Sequence, residues 1–290
     1  PPPAPPRPAP PMAARVMDAA PCLPGYKLGA VVGRGRFGIV RQAEEVATGR
    51  QVAVKLVPKG SMWPAMQERE STIQAGLRHE GVLELLAVAE TPAFDALVLE
   101  HAGGGDVFDE VSQHGRLSED CARRIFRQLL DAVSYCHRSG VAHRDIKPDN
   151  IFFGADGRPK LADFGLAARI SEGEPLTDSV GSPTSAAPEL LGRACAYDGR
   201  KADTWSCGVV LYLMLSGHLP FDEAGIPELF RSIRRGRYAI PGDLSPEAAD
   251  LIQRMLTVDP AWRPDVDELL QHPWLAGAGP AAEGDNLAAT

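Results

Sequence analysis

Paired cysteines, long apolar runs and an excess of basic charge are all missing from this 290-residue chain. Its five cysteines (Cys22, Cys121, Cys136, Cys195 and Cys207) are scattered, with no C-x-x-C pair and no histidine cluster at metal spacing. That excludes a zinc-ribbon or disulfide-framework reading and leads us to expect reduced thiols in an intracellular protein, cytoplasmic or nuclear. No apolar run approaches the roughly 18 residues needed to span a bilayer, so no membrane association is expected. No charged-then-apolar leader is visible, so secretion is not expected. Lys and Arg number 30 against 38 Asp and Glu, a net charge of -8. No global basic surface therefore points to nucleic acid, and the acidity suits basic peptide partners.

What is present is an ordinary globular composition, 44% hydrophobic and 23% charged, with ample length for a real core. The length suits one large domain or two lobes sharing one site. Eight of the first eleven residues are proline. Residues 1–24 accordingly read as a disordered or polyproline-type extension, either a plain solubilising tail or an SH3-type ligand around Pro5-Pro6-Arg7-Pro8. The residues after Leu275 are small and polar and read as a flexible tail over 276–290. No internal repeat is visible.

Between these ends the pattern changes once. Three short strands are expected at Tyr26–Val32, Ile39–Glu44 and Gln51–Val57, separated by a Gly-rich turn and by Ala47–Arg50. A helix over roughly Trp63–Leu77 and two apolar runs, Leu83–Ala89 and Ala96–Leu99, follow. Beyond Gly103-Gly104-Gly105 the chain reads as mainly helical. Ser118 is a good N-cap, and Ala122, Ile125, Phe126, Leu129, Val133 and Cys136 recur at helical spacing until Gly140. Trp205–Leu215 is apolar nearly all round and should be a buried central helix. Ser245-Pro246-Glu247 should open another. The expected architecture is a small β-rich lobe over 25–100, a hinge at about 100–105, and a larger α-rich lobe over 106–275.

Four stretches carry chemistry. Gly33-Arg34-Gly35-Arg36-Phe37-Gly38-Ile39-Val40 is a G-x-G-x-x-G-x-V run lying between two expected strands, whereas a dinucleotide fingerprint must open a helix. Backbone free of side chains at 33, 35 and 38 can approach phosphate oxygens. In Val52-Ala53-Val54-Lys55, strand alternation puts Ala53 and Lys55 on one face, suited to a flat base with phosphates further along. In His143-Arg144-Asp145-Ile146-Lys147-Pro148-Asp149-Asn150, Asp145 can orient and deprotonate a hydroxyl, and Lys147 can neutralise charge on a moving phosphoryl group. Asn150 and the aspartate of Asp163-Phe164-Gly165 offer hard oxygens to Mg²⁺.

With Ala187-Pro188-Glu189, these motifs make the chain resemble a eukaryotic protein kinase catalytic domain from about Tyr26 to Leu275. The resemblance implies an α+β bilobal protein-kinase fold and transfer of the γ-phosphoryl group of Mg-ATP to Ser or Thr of protein substrates. It implies ATP contacts from Val32, Gly33–Gly38, Val40, Ala53, Lys55, Glu100, Ala102 and Asp106. Lys55 would pair with Glu70, or with Glu68 if the register slips. Glu189 would pair with Arg263, and Asp203 would brace the catalytic loop. Lys147 resembles the serine/threonine class. GSP at 181–183, ADTWSCGVVLY, LPFDE and RMLTVDP…HPWL resemble the calcium/calmodulin-dependent group, especially its AMP-activated-kinase-like branch. Asp106 and Asp149 stand where kinases that prefer upstream basic residues place acids.

Three positions depart from the family pattern. Ser185 replaces a usual tyrosine. Gln74 replaces an apolar residue, and a buried amide without partners would cost roughly 1–3 kcal/mol. Asp178 occupies the usual phosphothreonine position, facing Arg144, with Thr177 and Ser179 beside it as rival phosphorylation sites. The alternative reading is a pseudokinase-type scaffold. Against it, Lys55, Glu70, Asp145, Lys147, Asn150 and Asp163 are all present.

Overall fold

The computed structural model describes residues 22–35, 38–59, 64–192 and 196–276. The expected extension and tail therefore fall almost wholly outside the described residues. The chain divides into two compact units, one holding the residues to Ala65 with Leu85–His101, the other Met66–Glu84 with Ala102 onward.

The first unit is an antiparallel sheet of five strands: β1 (Tyr26–Gly35), β2 (Gly38–Glu45), β3 (Gln51–Pro58), β4 (Leu85–Glu90) and β5 (Phe94–Glu100), in the order β1-β2-β3-β5-β4. Period-two alternation sends one set of side chains to a common face. There Ile39, Val52, Val54, Leu56, Phe94, Ala96 and Val98 pack into one buried cluster. β1 and β2 run further than the apolar pattern predicted, so Gly33, Gly35 and Gly38 lie within strands. The cross-strand ladder continues through glycines that carry no hydrophobic signal.

The second unit takes in the helix α1 (Pro64–Ala75) from Met66 onward, together with the chain to Glu84 and from Ala102. The sequence pattern grouped α1 with the strands. Its Ile73, with the following Leu77 and Val82, instead joins the large core that contains Leu161 and Phe164. After α2 (Val107–His114) comes α3 (Glu119–Arg138), whose N-cap Ser118 accepts a hydrogen bond from the Cys121 amide at 3.3 Å. Glu119 and Asp120 face the positive end of the helix dipole, and His137 and Arg138 the negative end. Gly140, at φ 71°, ends the segment. The short strands β6 (Val141–Ala142), β7 (Ile151–Phe153), β8 (Pro159–Leu161) and β9 (Ala168–Arg169) then interrupt what read as a mainly helical region. Two or three residues are too few to show a period of two. Their pairing, β6 with β9 and β7 with β8, carries the loops between them.

α4 (Gly199–Ser216) is buried continuously from Ala202 to Leu215, as an all-round apolar helix must be. α5 (Ile226–Arg235) and α6 (Pro246–Met255) follow, the latter capped by Ser245, and α7 (Val266–Leu269) and α8 (Pro273–Ala276) close the described chain.

Arg263 holds several of these pieces with a side chain that is 0% exposed. It is bidentate to Glu189, at 2.7 and 3.0 Å. Its remaining donors reach the carbonyls of Thr257, Lys201 and Val258, and its plane lies 5.1 Å from the Trp205 ring. A buried cation stripped of its carboxylate is strongly destabilising. Glu189→Ala should lower the unfolding free energy by about 3–5 kcal/mol, read from urea denaturation. A loss too small to measure would show that the carbonyls alone satisfy Arg263.

Candidate active site

In the first unit, strand register aligns Gly33 with Val40, Val40 with Lys55, and Lys55 with Leu97 across four strands. Residues directly opposite share a face. That face also carries Gln42, Ala53 and Leu99, one register step along, and it is opposite the packed face of Val52, Val54 and Leu56. Lys55 is buried. Gly38 has a steric reason for being glycine, because a Cβ there would stand 2.0 Å from the Leu56 carbonyl oxygen. Val32 falls at a register irregularity in β1 and is 59% exposed. Arg34 lies opposite Ile39, and Glu100, opposite Val52, ends β5. Arg36 and Phe37 lie outside the described residues.

In the second unit, to which Ala102 belongs, the loop His143–Asn150 is shaped by one carboxylate. Asp203, fully buried on α4, accepts hydrogen bonds at 2.8 Å from the backbone amides of both His143 and Arg144, and its Oδ2 lies 2.8 Å from His137 Nε2. Arg144 is thereby held at φ 66°, and Asp163 stands at φ 59°. These are the only described non-glycine residues in the left-handed region, and they flank the same site. Such backbone persists where surroundings over-determine it.

Four groups converge on Asp145. Its Oδ1 accepts from the Ser182 amide at 2.9 Å and from the Ser182 hydroxyl at 2.8 Å. Its Oδ2 lies 3.4 Å from Lys147 Nζ and accepts from Asn150 Nδ2 at 3.2 Å. Lys147 Nζ also donates to Ser182 Oγ at 3.1 Å. Asn150 Nδ2 donates to the Asp145 carbonyl too, at 2.8 Å. With the nitrogen so engaged, its Oδ1 is the atom left for a cation, a donor set that fits Mg²⁺ together with the Asp163 carboxylate. Phe164 is buried edge-on to His143, their rings 4.7 Å apart. Glu70, buried on α1, brings its carboxylate over Gly165, where an added Cβ would sit 3.4 Å from it. Ser182 was read only as part of a subgroup string, since no spacing in the sequence tells that it reaches Asp145.

Gln74, the departure on α1, is buried and donates from Nε2 to the Leu83 carbonyl at 2.9 Å. Its donor is satisfied. Ser185 is buried too, its carbonyl accepting from Ser206 at 2.9 Å. Beside it is a cavity of about 10 Å³, lined in part by Ser182, Ala187, Ala202 and Ser206.

Arg144 points its side chain into a second cluster. Its Nε donates to the Leu166 carbonyl at 2.7 Å and its Nη1 to the Tyr197 hydroxyl at 3.2 Å. Asp178 Oδ2 lies 3.6 Å from Nη1, and Tyr197 in turn donates to the Asp178 carbonyl at 3.0 Å. Burial, and then the Arg144 charge, lower the pKa of nearby Arg69, with Asp178 opposing. Burial raises the Tyr197 pKa, against the pull of Arg144. Neither Arg69 nor Tyr197 was singled out from sequence. Arg69 stands next to Glu70, but Tyr197 lies far along the chain with no motif around it. Thr177 is exposed, and Ser179 donates to the Leu190 carbonyl at 2.7 Å.

Asp106 caps α2, its Oδ1 accepting from the Asp109 amide at 2.8 Å. Burial raises its pKa first; the Asp109 and Asp149 charges add to the rise, and its bond from Asp109 opposes it. Asp106 and Asp149 therefore share one negative field.

The family model described as "Protein kinase domain" matches residues 26–275. The chain is 41% identical over 257 residues to "SNF1-related protein kinase catalytic subunit alpha KIN12" of Arabidopsis thaliana, covering 87% of this chain and 51% of that protein. It is 43% identical over 256 residues to "Serine/threonine protein kinase OSK3" of Oryza sativa subsp. indica, covering 87% and 50%. It is also 43% identical over 253 residues to "Sucrose non-fermenting protein kinase 1" of Fusarium virguliforme, covering 86% and 36%. The chain thus spans about half of the two plant relatives and about a third of the fungal one.

Proposed function

The chain belongs to the protein kinase domain family, and from that premise we propose that it transfers the γ-phosphoryl group of Mg-ATP to serine or threonine hydroxyls of protein substrates. The observation that carries this reading is the convergence of Ser182, Lys147 and Asn150 on the Asp145 carboxylate. A carboxylate held by donors, with a cation beside it, can orient an incoming hydroxyl and take its proton while Lys147 offsets developing charge. Mg-ATP supplies the phosphoryl group and neutralising charge, and Asp163 and Asn150 are the residues that would hold the metal. Gly33, Gly35, Gly38, Val40, Ala53 and Lys55 would hold the nucleotide, Lys55 on its phosphates. Ser182 links Asp145 to the segment that precedes Ala187-Pro188-Glu189, so acceptor docking and proton transfer share a hydrogen bond. A scaffold without catalysis would not need the Lys147–Ser182–Asp145 chain.

Two finer readings follow. The shared field of Asp106 and Asp149 supports a preference for Arg or Lys two or three residues before the acceptor. Asp178 supports activity without phosphorylation of the activation segment, Asp163–Glu189. A carboxylate carries one permanent charge where a phosphate carries about -1.5 to -2, and here it already neighbours Arg144.

Lys55→Met and Asp145→Asn should each abolish phosphoryl transfer to a generic peptide while circular dichroism stays unchanged. Substantial turnover by well-folded, contaminant-free Asp145→Asn protein would overturn the mechanism. In a peptide scan, replacing upstream arginine or lysine by alanine should reduce kcat/KM by about tenfold or more, the scale of a lost charged contact; an unchanged rate removes the basic preference. Protein shown by intact mass to be unphosphorylated should be active and should lose most activity on Asp178→Ala, but little on Thr177→Ala or Ser179→Ala. Inert protein that gains activity only when Thr177 or Ser179 acquires phosphate would refute a permanent Asp178 switch.

A further inference from the structure

An otherwise acidic chain concentrates four arginines in seven residues, Arg231, Arg234, Arg235 and Arg237, all exposed. They lie on and just beyond α5, which buries Leu229 and Ile233 and turns its other face outward. Arg231 has a carboxylate partner, Glu228, at 3.8 Å. Arg234 donates to the Leu191 carbonyl. The side chains of Arg235 and Arg237 make no hydrogen bond or ion pair among the described residues. Helix-dipole complementarity accounts for last-turn cations such as Arg234 and Arg235. It does not account for Arg231, a turn earlier, or Arg237, beyond the C-cap Gly236.

A second feature adjoins them. Gly236, between the two unpaired arginines, packs against Val258, whose Cγ2 would stand 2.8 Å from a Cβ at 236. Val258 is 36% exposed, and Trp262, in the turn just after it, is 81% exposed. The Trp262 amide closes that turn onto the Asp259 carbonyl at 3.1 Å, and Asp259 is the carboxylate closest in sequence to the patch. Through the Gly236–Val258 contact the arginine-rich end of α5 meets the segment that carries this exposed tryptophan, and arginine and tryptophan are the residue types enriched at interface anchors.

The geometry points to a docking surface, formed by Arg231, Arg235, Arg237, Val258 and Trp262, for a short acidic segment of a partner protein. Carboxylates would meet the arginines, and an apolar side chain of the segment would lie on Trp262. Charge argues for a short segment. The screening length near physiological salt is about 8 Å, so a few carboxylates sense the local arginines. An extended polyanion, such as nucleic acid or an anionic lipid surface, would also meet the chain's net charge of -8.

The test uses the whole chain and a labelled synthetic peptide of alternating glutamate and leucine, with a glutamine–leucine control, read by fluorescence anisotropy. The glutamate peptide should bind, more weakly as salt rises, and the control should not. Arg235→Glu/Arg237→Glu and, separately, Trp262→Ala should each weaken binding by about tenfold or more. The arginine variant should phosphorylate a short acceptor peptide at the wild-type rate. Should charge reversal disturb folding, seen by circular dichroism, Arg235→Gln/Arg237→Gln replaces it with the same expected loss. No binding to wild type, equal binding of the control, or undiminished binding to the folded variants would overturn the proposal. So would tighter arginine-dependent binding of phosphatidylserine vesicles or a single-stranded oligonucleotide.

Discussion

A single carboxylate, Asp203, is fully buried and takes donors from the loop His143–Asn150. Two adjacent backbone amides, His143 and Arg144, must point at it, and that fixes the turn in between. The left-handed backbone of Arg144 costs of order 1–3 kcal/mol, offset by hydrogen bonds to a buried charged acceptor. Once Arg144 is bent this way its side chain leaves for Tyr197 and Asp178, while Asp145 turns toward Ser182 and Lys147. Removing Asp203 would release the backbone of the active loop and leave two amides buried without acceptors.

The same bend divides the labour of adjacent residues. Arg144 contacts the segment at Asp178, and Asp145 contacts it at Ser182. Both contacts fall on one stretch of chain, four residues apart. A displacement that loosens one is transmitted through very little backbone to the other. Loss of segment order and loss of acceptor geometry should therefore be one event.

The helices were legible because their signals are local. Ser118 and Ser245 cap where capping residues precede apolar periodicity, and the continuous apolar run at 205–215 is buried throughout. The short strands β6 to β9 were not legible, since two or three residues hold no periodicity. The site divides along the same line. Asp145, Lys147, Asn150 and Asp163 stand in compact motifs, whereas Ser182, Tyr197 and Arg69 act through the fold across long stretches of sequence. Gln74 looked like a flaw by its type. Whether a buried amide is tolerated depends on which carbonyl the following loop presents, here that of Leu83. The resemblance to the AMP-activated-kinase-like branch rested on strings in the second unit, and the SNF1-related relatives agree with it.

Arg263 uses every N–H it has: three on carbonyls and a pair on Glu189. A lysine offers three donors from one point and cannot span that arrangement. For mutational drift, the position is a dead end. Even the exchange that keeps the charge leaves Glu189 and buried carbonyls wanting, and no single neighbouring change restores them. Lineages descended from this sequence inherit Arg263 and Glu189 as a locked pair.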